Sequence, residues 1–323
     1  MEDASDDRAA AESPAVKKAY ATKLGAMYQA KVEDFLKSPD ARKYKGKVQL
    51  IFTSPPFPLV TQKTYGNKVG EEYLEWLSDL APKLAKLLTP TGSIVIELGN
   101  AWEKGHPVMS TLPLKSLLKF QEAGKLFVNQ QFICHNPARL PSPVQWVTRE
   151  RIRVKDSYTH VWWMSLTERP KADNRKVLVP YSTAMKKLME KGSYNSGKRD
   201  SGHYIGAKSF LTDNGGAIPP SVLSYANTSA GTAYHRYVRE FGLTPHPAPM
   251  PLKLVEFFVN FLTDEKDLVF DPFGGSNSTG SVAESLGRRW LTTEPDPDYI
   301  LGSRGRFPAL VTEDSAKRDS PAT

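Results

Sequence analysis

The sequence predicts an α/β fold built on parallel strands with crossover helices, and three observations carry that prediction. Apolar, β-rich runs alternate with amphipathic helical spacings from Gly25 as far as Cys134, the pattern of strands joined by helices across a sheet. The run Val48-Gln49-Leu50-Ile51-Phe52 stops at Thr53-Ser54-Pro55-Pro56-Phe57, because neither proline can donate to a sheet ladder. Towards the other end, Leu268-Val269-Phe270-Asp271 enters a glycine-rich turn and then a helix, as a nucleoside-binding βαβ half does.

Taken in order, residues 1–20 are acidic and rich in Ala and Ser, without apolar periodicity, and read as a disordered tail. Gly25 to Gln29 is a strand, and a short helix lies around Val32, Phe35 and Leu36. From Glu71, Tyr73, Leu74, Leu77, Leu80, Leu84, Leu87 and Leu88 fall on one helical face. Thr89-Pro90-Thr91-Gly92 closes that helix, and Ser93 to Leu98 is a second buried strand. A helix over Leu112 to Ala123 and a strand over Leu126 to Cys134 follow, then the cation-rich stretch Arg149 to Lys155 and a strand over His160 to Leu166.

Between Arg169 and Pro245 the alternation gives way to Gly, Ser and Asn, with Lys186, Lys187, Lys191, Lys198, Arg199, Lys208, Arg236 and Arg239 interleaved among Tyr181, Tyr194, Tyr204, Tyr225, Tyr234 and Tyr237. That mixture fits a surface that touches nucleic acid, and equally an irregular insertion with a wet basic face. Leu252 to Leu262 is a helix after Pro251, Ser281 to Leu286 another, and Trp290 to Glu294 a strand. These elements divide the chain into 21–168, 169–245 and 246–308, with a flexible tail over 309–323.

At 323 residues the chain has room for one large or two modest domains. No apolar run approaches the roughly 20 residues that cross a bilayer, and the first residues lack a signal-peptide pattern, so a soluble protein with no membrane partner is expected. A single cysteine, Cys134, excludes an internal disulfide and fits a reducing compartment, here the cytoplasm. The formal net charge of +8 points to a polyanionic partner.

The proline-stopped loop would present the Ser54 hydroxyl, the free carbonyls of Ser54 and Pro55, and the ring of Phe57. Such a set can accept hydrogen bonds from a flat, amino-bearing ring while an aromatic stacks on it; a proline-ended strand with a buried Phe is the plainer alternative. In the second loop, Phe273-Gly274-Gly275-Ser276 lets backbone approach a ligand, and Glu294 ends the next strand where it can take both ribose hydroxyls. The three-glycine dinucleotide spacing is missing, and no Gly-Lys-Ser/Thr of a P-loop follows. S-adenosylmethionine, with one adenine, one ribose and one carboxylate, fits this turn better than a dinucleotide, although an unliganded tight turn is the alternative.

Both loops in one chain resemble the DNA amino-methyltransferases. Thr53-Ser54-Pro55-Pro56-Phe57 looks like motif IV and Asp271-Pro272-Phe273-Gly274-Gly275-Ser276 like motif I, in the order of the β class, with the motifs circularly permuted. Asn136-Pro137, Leu140 to Pro143, Trp146, Arg151 to Asp156, Asp213 to Gly216 and Ile218-Pro219-Pro220 are similar to cytosine-N4 members. The resemblance covers Ala21 to Phe307. It implies a Rossmann-like S-adenosylmethionine-dependent methyltransferase fold, a mixed seven-stranded sheet flanked by helices, with a smaller target-recognition region.

It further implies that Ser54, Pro55, Pro56 and Phe57 are catalytic and that the substrate is double-stranded DNA with the target base flipped out. Thr53, Asp271, Phe273, Gly274, Gly275, Ser276 and Glu294 would serve the cofactor, as would His246 and Lys253 from a segment that looks like motif X. Arg149, Arg151, Arg153, Lys155, Lys198 and Arg199 are the candidate DNA contacts. Lys31 stands where relatives often carry an acid, and Glu97 replaces a more usual Asp. Serine before Pro-Pro implies cytosine N4, with adenine N6 the alternative; no metal is needed, and a homodimer is compatible with the sequence. Cys134 lacks the Pro-Cys context of a C5-cytosine nucleophile and reads as a strand-end core residue.

Overall fold

Tyr20 anchors the first strand of a computed structural model that describes residues 16–57, 68–226 and 231–319. Residues 1–15 of the expected tail lie outside the described residues, but β1 (Lys17–Ala21) is a strand, paired antiparallel with β2 (Gly25–Gln29). Within β1 only Tyr20 is buried; its hydroxyl bonds Ser303 Oγ at 2.6 Å and accepts from Asn277 Nδ2 at 2.9 Å. One side chain thus fixes an edge strand that has no apolar alternation to betray it.

The next elements are α1 (Val32–Lys37), α2 (Pro39–Arg42), β3 (Val48–Thr53), α3 (Gly70–Ala85), β4 (Leu88–Gly99), α4 (Leu112–Gly124), β5 (Phe127–His135) and β6 (Tyr158–Ser165). On α3 the expected stripe is buried, from Tyr73 through Leu84. The turn expected at Thr89 to Gly92 is instead already strand: Leu88 pairs with Val48 and Ser93 with Leu50, around an irregularity in the ladder. Then follow α5 (Thr183–Lys191), the short pair β7 (Gly197–Lys198) and β8 (Tyr204–Ile205), β9 (Val222–Ser224) and α6 (Ala233–Glu240). The chain returns to α/β alternation with α7 (Leu252–Leu262), β10 (Leu268–Asp271), α8 (Ser278–Ser285), β11 (Arg289–Glu294), α9 (Pro297–Ser303) and α10 (Pro308–Asp319).

Helix α10 corrects the expectation of a loose end over 309–319; residues 320–323 of that expectation lie outside the described residues. Leu310 is buried, and Asp314 accepts from Tyr237 Oη and Arg304 Nε, both at 2.7 Å, so a few specific contacts order a stretch without helical periodicity.

The main sheet has nine strands in the order β1-β2-β11-β10-β3-β4-β6-β5-β9. It is mixed, as the resemblance implies, and exceeds the implied seven by the short edge strands β1 and β9. Strands β2, β11, β10, β3 and β4 run parallel, while β6 is antiparallel to both β4 and β5. Their carboxyl ends therefore share one rim, which is where open α/β sheets bind ligands. All six residues of β3 are buried, as befits a central strand covered on both faces. One face packs under α1, α3 and α4 through Phe35, Leu77 and Phe120; the other packs under α7 and α8, where the Phe52 and Phe258 rings lie 5.4 Å apart. Among the described residues no helix is long and apolar enough to cross a membrane.

Candidate active site

A cavity of about 600 Å³ opens along that rim. Its walls come from the ends of β2, β3, β4, β5, β10 and β11 and the start of β6, so the proline-stopped loop and the glycine-rich turn face one space.

On the first wall stand Ser54, Pro55, Pro56 and Phe57. The Ser54 hydroxyl favours the ionised form of Glu97, which accepts from Thr159 Oγ1 at 2.8 Å. Turned towards that carboxylate, the hydroxyl would keep lone pairs for a hydrogen-bond donor in the cavity. Burial pushes the Glu97 carboxyl above the usual carboxylate range, opposed by these hydrogen bonds and by the charge of Arg139. Phe57 lies against the bare backbone of Gly99, where a Cβ would come within 2.5 Å of the ring. Any side chain at position 99 would displace that ring.

Across the cavity, Asp271 fixes the turn. Its Oδ1 accepts from Thr53 Oγ1 at 2.7 Å and Phe273 N at 3.0 Å, and its Oδ2 from Thr279 Oγ1 at 2.7 Å. Burial raises the Asp271 carboxyl, and these three donors hold it back. The Thr53 bond ties the two loops together across neighbouring strands β3 and β10.

Gly275 adopts φ +48°, and a Cβ there would lie 2.8 Å from His246 Nε2. Glu294 Oε2 accepts from Gly275 N at 2.9 Å and Oε1 from Asp296 N at 3.1 Å, while burial pushes its carboxyl up to about 7. The Phe273 ring meets Trp76 edge-on at 5.6 Å, and Trp76 donates its indole N–H to Glu33. Ser278 Oγ, buried on the same wall, has no hydrogen-bond partner.

Most sequence-derived site residues meet here: Ser54 to Phe57, His246, Asp271, Phe273 to Ser276 and Glu294 all line the cavity. Thr53 does not; it is the strut under Asp271. Lys253 is a correction: it is exposed in the first turn of α7 and away from the cavity, because the buried face of that helix is Leu254, Val255 and Phe258. Among the candidate DNA contacts, Arg149, Arg151, Lys155 and Lys198 are exposed, and Lys155 also donates to the carbonyls of Pro137 and Arg139. Arg153 instead pairs with Asp156 at 3.1 Å, and Arg199 donates to the Asn195 carbonyl. Tyr234 and Tyr237, grouped with the basic surface in the sequence, are buried under the C-terminal elements, and Tyr225 lines the cavity.

Sequence reasoning missed Glu33, Trp76, Arg139 and Tyr299 on the cavity wall. Only Trp76 left a signal: it sits off the apolar stripe of its helix and is half-buried against Phe273. Cys134, one residue before the end of β5, lines the cavity with its thiol pushed up to about 12 by burial, so it stays protonated and non-nucleophilic.

Three comparisons agree with this geometry. The chain is 44% identical over 294 residues to the type II methyltransferase M.PvuII of Proteus hauseri, covering 90% of this chain and 86% of the relative. It is 25% identical over 255 residues to the type II methyltransferase M.BglII of Bacillus subtilis, covering 78% and 61% of the two. The solved structure of PvuII DNA methyltransferase (cytosine-N4-specific) superposes with a TM-score of 0.73 at 34% identity over 94% of this chain and 95% of that one. The family profile described as DNA methylase, for N6 and N4 methyltransferases, matches residues 48–303, and the chain belongs to that family.

Proposed function

We propose that the protein is a site-specific DNA methyltransferase that moves a methyl group from S-adenosylmethionine to the exocyclic N4 amine of a cytosine flipped out of duplex DNA. One observation carries the reading: the Ser54 to Phe57 loop and the Phe273 to Glu294 turn line a single cavity and are tied by the Thr53–Asp271 hydrogen bond. The 44% identity to a type II methyltransferase and the likeness to a cytosine-N4-specific structure support it.

The cavity suits the methyl donor. Phe273 offers an aromatic face, Glu294 an acceptor for a ribose diol, and Gly274 and Gly275 a floor without side chains; Ser278 Oγ is an unsatisfied polar group awaiting a partner. Its volume, within the ordinary range for ligand pockets, accommodates an adenosine-bearing ligand and a base together. When bound, S-adenosylmethionine supplies a methyl group already activated on a sulfonium, so the protein need provide neither nucleophile nor metal.

What the protein must overcome is the delocalised lone pair of the amine. Ser54 Oγ and the Pro55 carbonyl would accept its two hydrogens, holding them out of the ring plane so that the nitrogen lone pair points at the methyl. Phe57, seated on Gly99, would stack on the base. Fixing the reacting atoms in line contributes part of the roughly 7–11 kcal/mol that orientation can supply. As the new N–C bond replaces the donor's methyl–sulfur bond, the amine would shed a proton to Ser54 Oγ while the hydroxyl proton of Ser54 would pass to Glu97.

In this reading, residues 169–245 recognise the target sequence, with α6 also serving the cofactor side. Exposed Arg149, Arg151 and Lys198 contact phosphates, a role in which arginine and lysine position the duplex without reading it. The enzyme would work in the cytoplasm of a bacterial or archaeal cell, beside a restriction partner, and a homodimer would show as doubled mass in light scattering. The decisive experiment incubates the protein with plasmid DNA and methyl-labelled donor, then separates the nucleosides. N4-methylcytosine is expected; label in N6-methyladenine would replace cytosine with adenine as the target, and unlabelled DNA would sink the reading.

A further inference from the structure

Arg306 follows α9 in a short 3-10 turn, outside the loops that the family resemblance marks. Its guanidinium is buried and grips Ser276 twice: Nη2 donates to Ser276 Oγ at 2.8 Å and Nε to the Ser276 carbonyl. The guanidinium carbon also stands 4.6 Å from the ring centroid of Tyr234. Among the described residues no carboxylate pairs with it.

A buried cation without a counter-charge is costly, and burial accordingly draws Arg306 down to about 10. Such a group marks a place where an anion is expected to arrive. Its partners show where. Ser276 lines the cavity, and a hydroxyl that accepts from a guanidinium is free to donate its own hydrogen onward. Tyr234 Oη accepts from His246 N at 2.7 Å, and the His246 ring closes over Gly275 on the opposite lip. Arg306 thus braces both lips of one end of the cavity.

Elsewhere the cavity wall carries both signs, Glu33, Glu97, Asp271 and Glu294 beside Lys31, Lys68 and Arg139. The Arg306 end differs in holding a guanidinium that no carboxylate pairs among the described residues, set behind a hydroxyl that opens on the cavity. We propose that Arg306 is the counter-charge and positioning residue for the carboxylate of the methyl donor, acting through the Ser276 hydroxyl. This rests on the donor assignment above and adds a residue that touches neither donor nor base. It also gives a reason for Tyr234, in the target-recognition range of the sequence, to be buried beside the cofactor turn: Tyr234 is the platform that keeps the guanidinium facing Ser276.

The test is calorimetric binding to the full chain, without DNA, of S-adenosylmethionine and of decarboxylated S-adenosylmethionine, which differ in the carboxylate alone. In the wild-type protein the carboxylate should improve affinity. Arg306→Met should weaken S-adenosylmethionine binding by about tenfold or more while leaving the decarboxylated ligand within about twofold, since a charge-assisted hydrogen bond is roughly twice as strong as a neutral one. Equal weakening of both ligands, or of neither, overturns the proposal, because a purely structural brace cannot tell them apart. If Arg306→Met fails to fold by circular dichroism, Arg306→Lys decides. Lysine keeps the charge but loses the fork, so the ratio of the two affinities should fall about threefold, and an unchanged ratio overturns the proposal. Failure of the wild-type protein to bind either ligand would count against the donor assignment itself, separately from Arg306.

Discussion

Replacing Glu294 by Gln tests the cofactor end quantitatively. The carboxyl is 8% exposed and titrates at about 7 rather than at its ordinary 4.5, chiefly through desolvation, with Asp296 and Asp271 adding repulsion and the N–H groups of Gly275 and Asp296 opposing it. A carboxyl raised on folding contributes its stability below its unfolded pKa and loses it as pH rises through the folded value. Between pH 6 and pH 8 the ligand-free protein should therefore lose about 1 kcal/mol on account of this group. Affinity for S-adenosylmethionine should move the other way. If only the ionised carboxyl accepts both ribose hydroxyls, the dissociation constant falls about tenfold from pH 6 to pH 8, with release of a proton.

Isothermal titration at several pH values, in buffers of different ionisation enthalpy, measures both effects. Glu294→Gln should bind about tenfold more weakly at pH 8, through loss of charged hydrogen bonds, and show no slope. His246 is drawn down to about 4 and Cys134 lies near 12, so neither competes in this window. Glu97, also raised by burial, belongs to the catalytic wall, and the Gln variant separates its contribution. A wild-type affinity that does not change with pH, or a slope that survives in Glu294→Gln, would refute the reasoning.

Three further perturbations probe the remaining walls. Ser54→Ala combined with Phe57→Ala should abolish methylation in a single-turnover assay while leaving donor affinity within about threefold, because neither residue belongs to the turn that holds the donor; near-normal turnover would remove this loop from the active site. Gly99→Ala should lower turnover with little change in melting temperature, since its Cβ would sit 2.5 Å from the Phe57 ring, and unchanged turnover would show that the seat of that ring does not matter. Thr53→Val leaves Asp271 short of one of its three donors and should destabilise the fold by about 1–3 kcal/mol in urea titration, with both donor affinity and turnover falling; an unchanged midpoint would show that the loops are not coupled through this bond.

What could be read from the sequence follows from how local each feature is. Ser54 to Phe57 and Phe273 to Glu294 were legible because prolines and glycines mark backbone that leaves a sheet, and each loop carries its chemistry within a few residues. The partners of those loops were not legible. Thr53 and Asp271 are 218 residues apart and meet only because β10 lies beside β3 in the sheet. Glu33 reaches the cavity because β2, far earlier in the chain, pairs with β11. Lys253 failed for a related reason: a motif can name a segment, but the helical phase of α7 decides which of its side chains face the ligand, and Leu254 and Val255 take the buried side. Ordered ends such as β1 and α10 escaped because single anchors, Tyr20 and Asp314, hold them without any periodic pattern.

Sheet order also explains why a chain with these motifs so far apart can act as one catalyst. Methyl transfer needs two bound molecules aligned to within a fraction of an ångström, and flexible loops would surrender that alignment. Here the acceptor loop and the donor turn leave adjacent parallel strands, Asp271 receives hydrogen bonds from both, and Phe57 rests on backbone rather than on a mobile side chain. The geometry is therefore set by central strands that are buried on both faces. On the proposed reading, sequence preference falls to the exposed part of 169–245, around α5 and the β7–β8 pair, which can vary without disturbing the strand ends, whereas β9, Tyr225 and Tyr234 of the same range are built into the sheet, the cavity wall and the buried interior.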